Sequence, residues 1–413
     1  MPLPPSSRRR FLTAVATTGA AVTGAAGCKY ASQLFLLRKV KKTADVAQPE
    51  WSTSRIQAWR PLGRTGFRMS DVSFGCANLS NPDVVRAAID RGVTYFDTSP
   101  DYSNASSERA LGEALRGQDR EKLFIVSKFC TPEGHLPADT PVKGVIAAVE
   151  ASLQRLGVDY LDLCHIHACN EVERLMAPTF HEAFHVLRDQ KKLRFLGVSS
   201  HTPNVEAVMR AAVDSGKLDV IMVAYNFADW PKLHGIFRDA HARGVGVVAM
   251  KTLKGAQHNA LGSFTPTERE SFAQAAFKWV LSNPNVSGLV VSIDDRRQLD
   301  EYLVASGAPI GTDDVALLEK YDRAIKGSYC PPGCGECLSS CPAGVPVDDV
   351  LRYAMYYEHY RHERVAIESY AKIPMDRRGT ACAGCPAPCE AACPEGIGIR
   401  EKVLRTHGLL TVA

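Results

Sequence analysis

At 413 residues, 45% of them hydrophobic and 23% charged, the chain is long and apolar enough for one large core and a smaller second unit. The net charge of +4 is slight, and no basic stripe interleaves with aromatic residues, so nothing in the composition calls for a nucleic-acid partner. Of the 13 cysteines, eight crowd between Cys330 and Cys393, so composition alone sets the C-terminal part aside.

The N-terminus carries Ser7-Arg8-Arg9-Arg10-Phe11-Leu12 and then a mildly apolar, Ala/Gly/Thr-rich run to Ala26, too short and too mild for a membrane span. The segment resembles the twin-arginine export signal, with a disordered basic leader as the alternative. Ala25-Ala26-Gly27 before Cys28 reads as a signal-peptidase site or a loose lipoprotein box with Cys28 lipidated. The expectation is a leader over residues 1–28 and a linker over 29–59. It implies export in folded form to the periplasm or a membrane surface, or a cytoplasmic protein where the leader does not function.

From Arg60 onward short β-type runs alternate with amphipathic helical stretches. Eight such runs follow in order, at Asp71, Thr94, Leu123, Tyr160, Leu193, Asp219, Gly244 and Asn285. Eight βα units predict a closed (β/α)8 barrel, a TIM barrel, over 60–327; an open doubly wound sheet is the alternative. No G-x-G-x-x-G fingerprint follows the first run, which favours the barrel.

Polar residues fall at the C-terminal ends of these runs. Asp97 closes the second, Lys128 the third, His167 the fourth and Ser199-Ser200 the fifth, while Tyr102 sits in the turn after Asp97. Singly, Lys128 and Asp97 read as a surface ion pair and Tyr102 as a turn residue. Together on one rim they predict a proton-transfer site, because a tyrosine near an ammonium becomes a better acid. His165 shares the strand face of His167 by period-two alternation and competes with it for the role.

The segments PLGRTGFRMSDVSFG, FDTSPDYSNASSERALGEAL, VSKF, LGVDYLDLCHIH and FLGVSS resemble, in order and spacing, the aldo-keto reductase family. The resemblance implies that Tyr102 donates a proton to a carbonyl oxygen while NADP or NAD supplies hydride, that Asp97 and Lys128 tune it, and that His167 orients the substrate. It further implies cofactor contacts at Gly75, Ser199, Ser200, Met250, Lys251, Leu253, Arg297 and Glu301. Met222 and Ser292 depart from the family pattern, and Arg296 or Arg297 is the candidate for a 2′-phosphate, opposed by Asp294 and Asp295.

Residues 328–413 hold two cysteine runs, Cys330, Cys334, Cys337 and Cys341, then Cys382, Cys385, Cys389 and Cys393, each ending in Cys-Pro. Each is one residue longer than the bacterial ferredoxin run, and the repetition predicts a ferredoxin-like, mainly helical domain with two 4Fe-4S clusters. In such pairs the fourth cysteine of each run serves the other cluster. Zinc sites and disulfides are the alternatives. Tyr353, Tyr356, Tyr357 and Tyr360 between the runs read as helix packing and not as electron relays.

The combination is similar to an iron-sulfur branch of the same family. It implies a carbonyl reductase of small aldehydes or ketones; the alternative is a cofactor-binding electron-transfer protein that works with a protein partner. Hydride moves two electrons and a cluster one, so the sequence alone shows no route between them.

Overall fold

The computed structural model describes residues 49–227, 231–254, 271–359 and 363–411, which belong to one compact unit, Thr43–Ala413. The expected leader over 1–28, Cys28 and Tyr360 lie outside the described residues. Among the described residues no helix is long and apolar enough to cross a membrane.

Eight parallel strands close into a barrel, as the alternation predicts: β1 Val72–Gly75, β2 Tyr95–Asp97, β3 Phe124–Lys128, β4 Leu161–Ile166, β5 Leu193–Ser200, β6 Val220–Ala224, β7 Gly246–Met250 and β8 Gly288–Ser292. β8 pairs with β1, Val290 against Ser73 and Ser292 against Gly75, which closes the ring. Gly75 is required there by packing: a Cβ on it would lie 3.0 Å from Val290 Cγ1 and 3.1 Å from the Val291 carbonyl carbon.

Period-two alternation sorts each strand into an inward and an outward set. Tyr95, Phe124, Val126, Leu163, Val220, Met222, Val248 and Val290 fill the interior. A hairpin of Trp59–Pro61 and Arg68–Ser70 precedes the barrel, and its Leu62 and Met69 join that interior cluster, plugging the N-terminal end. Each buried Leu or Phe contributes about 2–3 kcal/mol. The same alternation continues upward, so Asp97 follows Tyr95, Lys128 follows Val126, and His165 and His167 follow Leu163 on the inward face.

The outward set packs under a ring of helices: α1 Pro82–Asp90, α2 Ser106–Leu115, α3 Val142–Leu156, α4 Pro178–Asp189, α5 Val205–Ser215, α6 Pro231–Ala242, α7 Phe272–Leu281 and α8 Arg296–Leu303. The linker expected to run to residue 59 ends sooner than that. Trp51 and Ile56 are buried, Ile56 in the barrel's outer core, and Ser54 Oγ donates to the Asp300 carbonyl of α8 at 2.6 Å, so the chain is folded from residue 49. Apolar side chains at 51 and 56 are what draw this segment in.

Beyond the barrel come α9 Thr312–Ile325, α10 Val347–Glu358, α11 Glu363–Ala371 and α12 Ile399–Leu410. A separate core of Val345, Val350, Tyr370, Ile397 and Val403 holds α10, α11 and α12 together, with Tyr353, Tyr356 and Tyr357 packed against it. A further cluster joins the two parts: Phe272 of α7 stacks on Tyr321 of α9 at 3.8 Å, and Met355 of α10 packs on the same group.

Candidate active site

The C-terminal rim brings Asp97, Tyr102, Lys128 and His167 together. Lys128 Nζ donates to Asp97 Oδ1 at 2.6 Å and to the Thr98 carbonyl at 2.8 Å, and it lies 4.9 Å from the centre of the Tyr102 ring. Tyr102 meets His167 edge-on, with ring centres 6.0 Å apart. The tight turn after β2 makes this approach possible by running Ser103, Asn104 and Ala105 through positive φ before α2 begins.

Electrostatics follow from burial. Desolvation opposes the Lys128 charge, but Asp97 and Tyr102 outweigh it and hold the ammonium above its ordinary value. Burial raises the Tyr102 phenol, with Lys128 pulling the other way, so the net shift is upward where the sequence argument expected a lowering. Burial also keeps the His167 imidazole neutral, well below its usual range, despite Asp101 beside it. Among the described residues Asp97 Oδ2 has no hydrogen-bond partner.

His165 is not a second rim residue. It lies inside the barrel with neither ring nitrogen bonded among the described residues, and Gly197 opposite makes room for it, since a Cβ there would fall 2.5 Å from His165 Nδ1. His167, one turn of the pleat higher, reaches the rim.

Three neighbours of this site escaped the sequence reading. Asp101, Cys130 and His135 surround His167 Nδ1, with Cys130 Sγ at 3.1 Å and Asp101 Oδ2 at 3.5 Å. Arg174 donates to the His167 carbonyl at 2.8 Å and to the Leu136 carbonyl at 2.9 Å, bracing β4 against the segment that carries His135.

The expected cofactor residues are placed unevenly. Ser199 Oγ accepts from the Ala168 amide at 3.1 Å, and Ser200 Oγ lies 3.0 Å from Thr202 Oγ1. Met222 and Met250 belong to the inward cluster. Buried Asn226, not foreseen, donates to the Lys251 carbonyl at 3.2 Å. Past β7 the chain runs through Lys251 and Lys254 at positive φ, and between them the buried Thr252 hydroxyl has no partner among the described residues. An orphan hydroxyl beside a lysine on the rim, with hydroxyls, an amide and methionines below, fits a phosphate-bearing nicotinamide cofactor.

Other expected contacts are engaged elsewhere. Arg297 lies 3.4 Å from Asp295, and the buried Glu301 accepts from Ser271 Oγ, which in turn caps α7 by accepting from the Gln274 amide. Lys251 has Tyr356 of α10 and the buried Arg352 as its electrostatic neighbours, and burial lowers its ammonium below the ordinary value. Leu253 packs in the cluster that joins barrel and tail.

In the tail the two cysteine runs cross. Cys330, Cys334, Cys337 and Cys393 line one pocket, and Cys341 stands with Cys382, Cys385 and Cys389. Burial and neighbouring cysteines push the Cys337 thiol up to about 12, and burial does the same for Cys330. No disulfide joins the described cysteines. Backbone amides point at the sulfurs, Val345 to Cys341 at 3.3 Å, Ala387 to Cys385 at 3.4 Å and Ile397 to Cys393 at 3.5 Å. Four soft sulfur donors per set with amide support fit an iron-sulfur cluster.

The sequence model of the aldo/keto reductase family matches residues 79–323, more than half of the chain, and that of the 4Fe-4S dicluster domain matches residues 329–397. The chain is 26% identical over 282 residues to L-galactose dehydrogenase of Arabidopsis thaliana, covering 60% of this chain and 87% of that one. It is 24% identical over 319 residues to L-glyceraldehyde 3-phosphate reductase of Escherichia coli K12, covering 64% and 92%. The holo form of an aldo-keto reductase from Bacillus halodurans shares the fold at TM-score 0.53 and 21% identity, over 65% of this chain and 96% of that one.

Proposed function

The chain belongs to the aldo/keto reductase family and carries a 4Fe-4S dicluster domain, and on that premise we propose that it is an NAD(P)H-dependent reductase of a small aldehyde or ketone. The observation that carries this reading is the buried Lys128–Asp97 pair, 2.6 Å apart, set under the Tyr102 ring on the barrel rim. A binding pocket has no need of a proton donor backed by a buried ammonium.

When bound, the nicotinamide supplies hydride to the carbonyl carbon. Tyr102 delivers its proton to the carbonyl oxygen as negative charge grows there. Lys128 stabilises the phenolate that Tyr102 becomes, and Asp97 fixes Lys128 in place. His167, its Nδ1 turned to Cys130 and Asp101, has Nε2 left to hydrogen-bond the substrate oxygen. Ser199, Ser200 and Asn226 would hold the nicotinamide amide, with Lys251 and Thr252 near the pyrophosphate. The two relatives named for L-galactose and L-glyceraldehyde 3-phosphate support a hydroxylated carbonyl as the substrate class.

The tail would hold two 4Fe-4S clusters, one on Cys330, Cys334, Cys337 and Cys393 and one on Cys341, Cys382, Cys385 and Cys389. A protein partner is the natural one-electron exchanger for them. The arginine-rich N-terminus supports export of the folded, cluster-bearing chain.

The test is Tyr102→Phe. Loss of a general acid lowers kcat by about 10²–10⁴-fold, while cofactor affinity stays within about twofold, since the ring remains. A variant that turns over carbonyls like the parent would sink the proton-donor assignment. The electrostatic link between Lys251 of the barrel and Tyr356 of the tail favours a second reading, a redox-responsive cofactor-binding protein without carbonyl turnover. It gains support if NADPH binds and no carbonyl is consumed.

A further inference from the structure

Beside the proton-donor set, one ligand atom from each of Asp101, Cys130, His135 and His167 falls within 4.8 Å of the others. The nearest pairs are Cys130 Sγ to His167 Nδ1 at 3.1 Å, His135 Nε2 to Asp101 Oδ2 at 3.4 Å and His167 Nδ1 to Asp101 Oδ2 at 3.5 Å. Ligands bonded to zinc at about 2.0–2.3 Å in a tetrahedron stand about 3.3–3.8 Å apart. Two of these separations fall in that range, the third is slightly shorter, and the other pairs lie within 4.8 Å, so a small adjustment of the side chains brings all four atoms onto one ion.

The local fold explains how the four meet. After Lys128 the chain forms a short hairpin, Cys130–Thr131 against Gly134–His135, in which Cys130 and His135 are directly opposite. Opposite residues of an antiparallel pair project from the same face, so the hairpin delivers a thiol and an imidazole side by side. The tight turn after β2 supplies Asp101 and the end of β4 supplies His167.

A second layer supports them. Ser99 Oγ donates to Asp101 Oδ1, which leaves Oδ2 facing both histidines. Arg174 ties the His167 carbonyl to the Leu136 carbonyl, next to His135. A hydrogen-bonded carboxylate ligand is a usual companion of a metal, and Arg174 holds the backbones of the two histidine-bearing segments together. His135 is 42% exposed and Asp101 20%, which opens a path from solvent.

We propose that Asp101, Cys130, His135 and His167 bind one zinc ion at the mouth of the barrel, separate from the cysteines of the tail. Two imidazoles, one thiolate and one carboxylate suit zinc, a borderline-soft ion. Four protein ligands close the tetrahedron, so the ion positions and does not activate water. With Nδ1 on the metal, His167 keeps Nε2–H as its free donor, and Asp101 is fixed one residue before Tyr102. Binding of the ion does not depend on carbonyl reduction.

The test uses the full-length protein, purified anaerobically with its iron content measured, exposed to zinc and desalted. Metal analysis is paired with zinc K-edge X-ray absorption on the parent, His135→Ala, Cys130→Ser and Tyr102→Phe. The expected result is one zinc per chain over and above the iron, in a shell of nitrogen and oxygen with one sulfur. His135→Ala and Cys130→Ser lose it with iron unchanged, and Tyr102→Phe keeps it. No zinc, an all-sulfur shell, or zinc retained by both hairpin variants overturns the proposal. Because Tyr102→Phe separates turnover from metal binding, failure of the site and failure of the reductase reading show up independently.

Discussion

Lys251, just past the seventh barrel strand, and Tyr356, on the first long helix of the cysteine-rich tail, are electrostatic partners in the interior of the fold. Burial lowers the Lys251 ammonium below its ordinary value, and the tyrosine hydroxyl is what opposes that shift. The tail therefore engages the lysine that stands nearest the proposed pyrophosphate position. Tyr356 therefore helps Lys251 keep the charge that a phosphate would meet. Tyr356→Phe removes that support, and loss of one interaction of about 1 kcal/mol corresponds to roughly a fivefold loss of NADPH affinity. Titration calorimetry under anaerobic conditions measures it. Tighter binding in the variant would mean that the phenol competes with the cofactor for Lys251 instead.

The Lys128–Asp97 pair has stability consequences that differ from its catalytic ones. Both side chains are buried, and Asp97 Oδ2 has no second partner among the described residues. Lys128→Met leaves a buried carboxylate unpaired and is expected to cost about 3–5 kcal/mol. Adding Asp97→Asn removes the stranded charge and recovers most of that loss, yet turnover stays low because no ammonium backs Tyr102. Urea unfolding and kcat on the single and double variants separate the two effects. Recovery of turnover in the double variant would show that the ammonium is dispensable.

The barrel was legible because its signals are local. Short apolar runs alternating with amphipathic helical stretches mark the eight strands, and period two then puts Asp97, Lys128 and His167 on the inward face at strand ends. What stayed hidden depends on pairing between distant or very short pieces. Cys130 and His135 meet in two-residue strands that no periodicity can announce. Glu301 looked free for a cofactor, but its partner Ser271 belongs to another helix. Trp51 and Ile56 lay in a segment without sustained pattern and are nonetheless drawn into the fold by burial. The contact of Lys251 with Tyr356 joins two domains, and nothing in either sequence stretch encodes it alone.

Crossed cysteines give a specific expectation for iron loss. Cys393 closes the second run in sequence but lines the pocket of Cys330, Cys334 and Cys337. Cys393→Ser should thus damage the cluster held by the first run and leave Cys382, Cys385 and Cys389 with their partner Cys341. Double variants decide it. Cys393→Ser with Cys334→Ser should lose no more iron than either alone, whereas Cys393→Ser with Cys385→Ser should lose about twice as much. The opposite pattern would show that each run holds its own cluster.

Asp349 makes the tail sensitive to pH. It sits on the same helix as Tyr356, and burial together with Asp348 raises its carboxyl to about 6, against the pull of Arg352. A folded-state value above the unfolded one means that the favourable contribution is complete below about pH 4 and is lost as pH rises through about 6. The rise from 3.8 to about 6 corresponds to about 3 kcal/mol. Asp349→Asn keeps the shape and removes the titration. It should stabilise the holoprotein by up to about 3 kcal/mol at pH 8, with the advantage narrowing by about half at pH 5. Anaerobic denaturant melts at the two pH values, followed through the iron-sulfur absorbance, read the difference directly. An advantage equal at both values would mean that Asp349 does not titrate in this window and that its carboxylate is accommodated by Arg352.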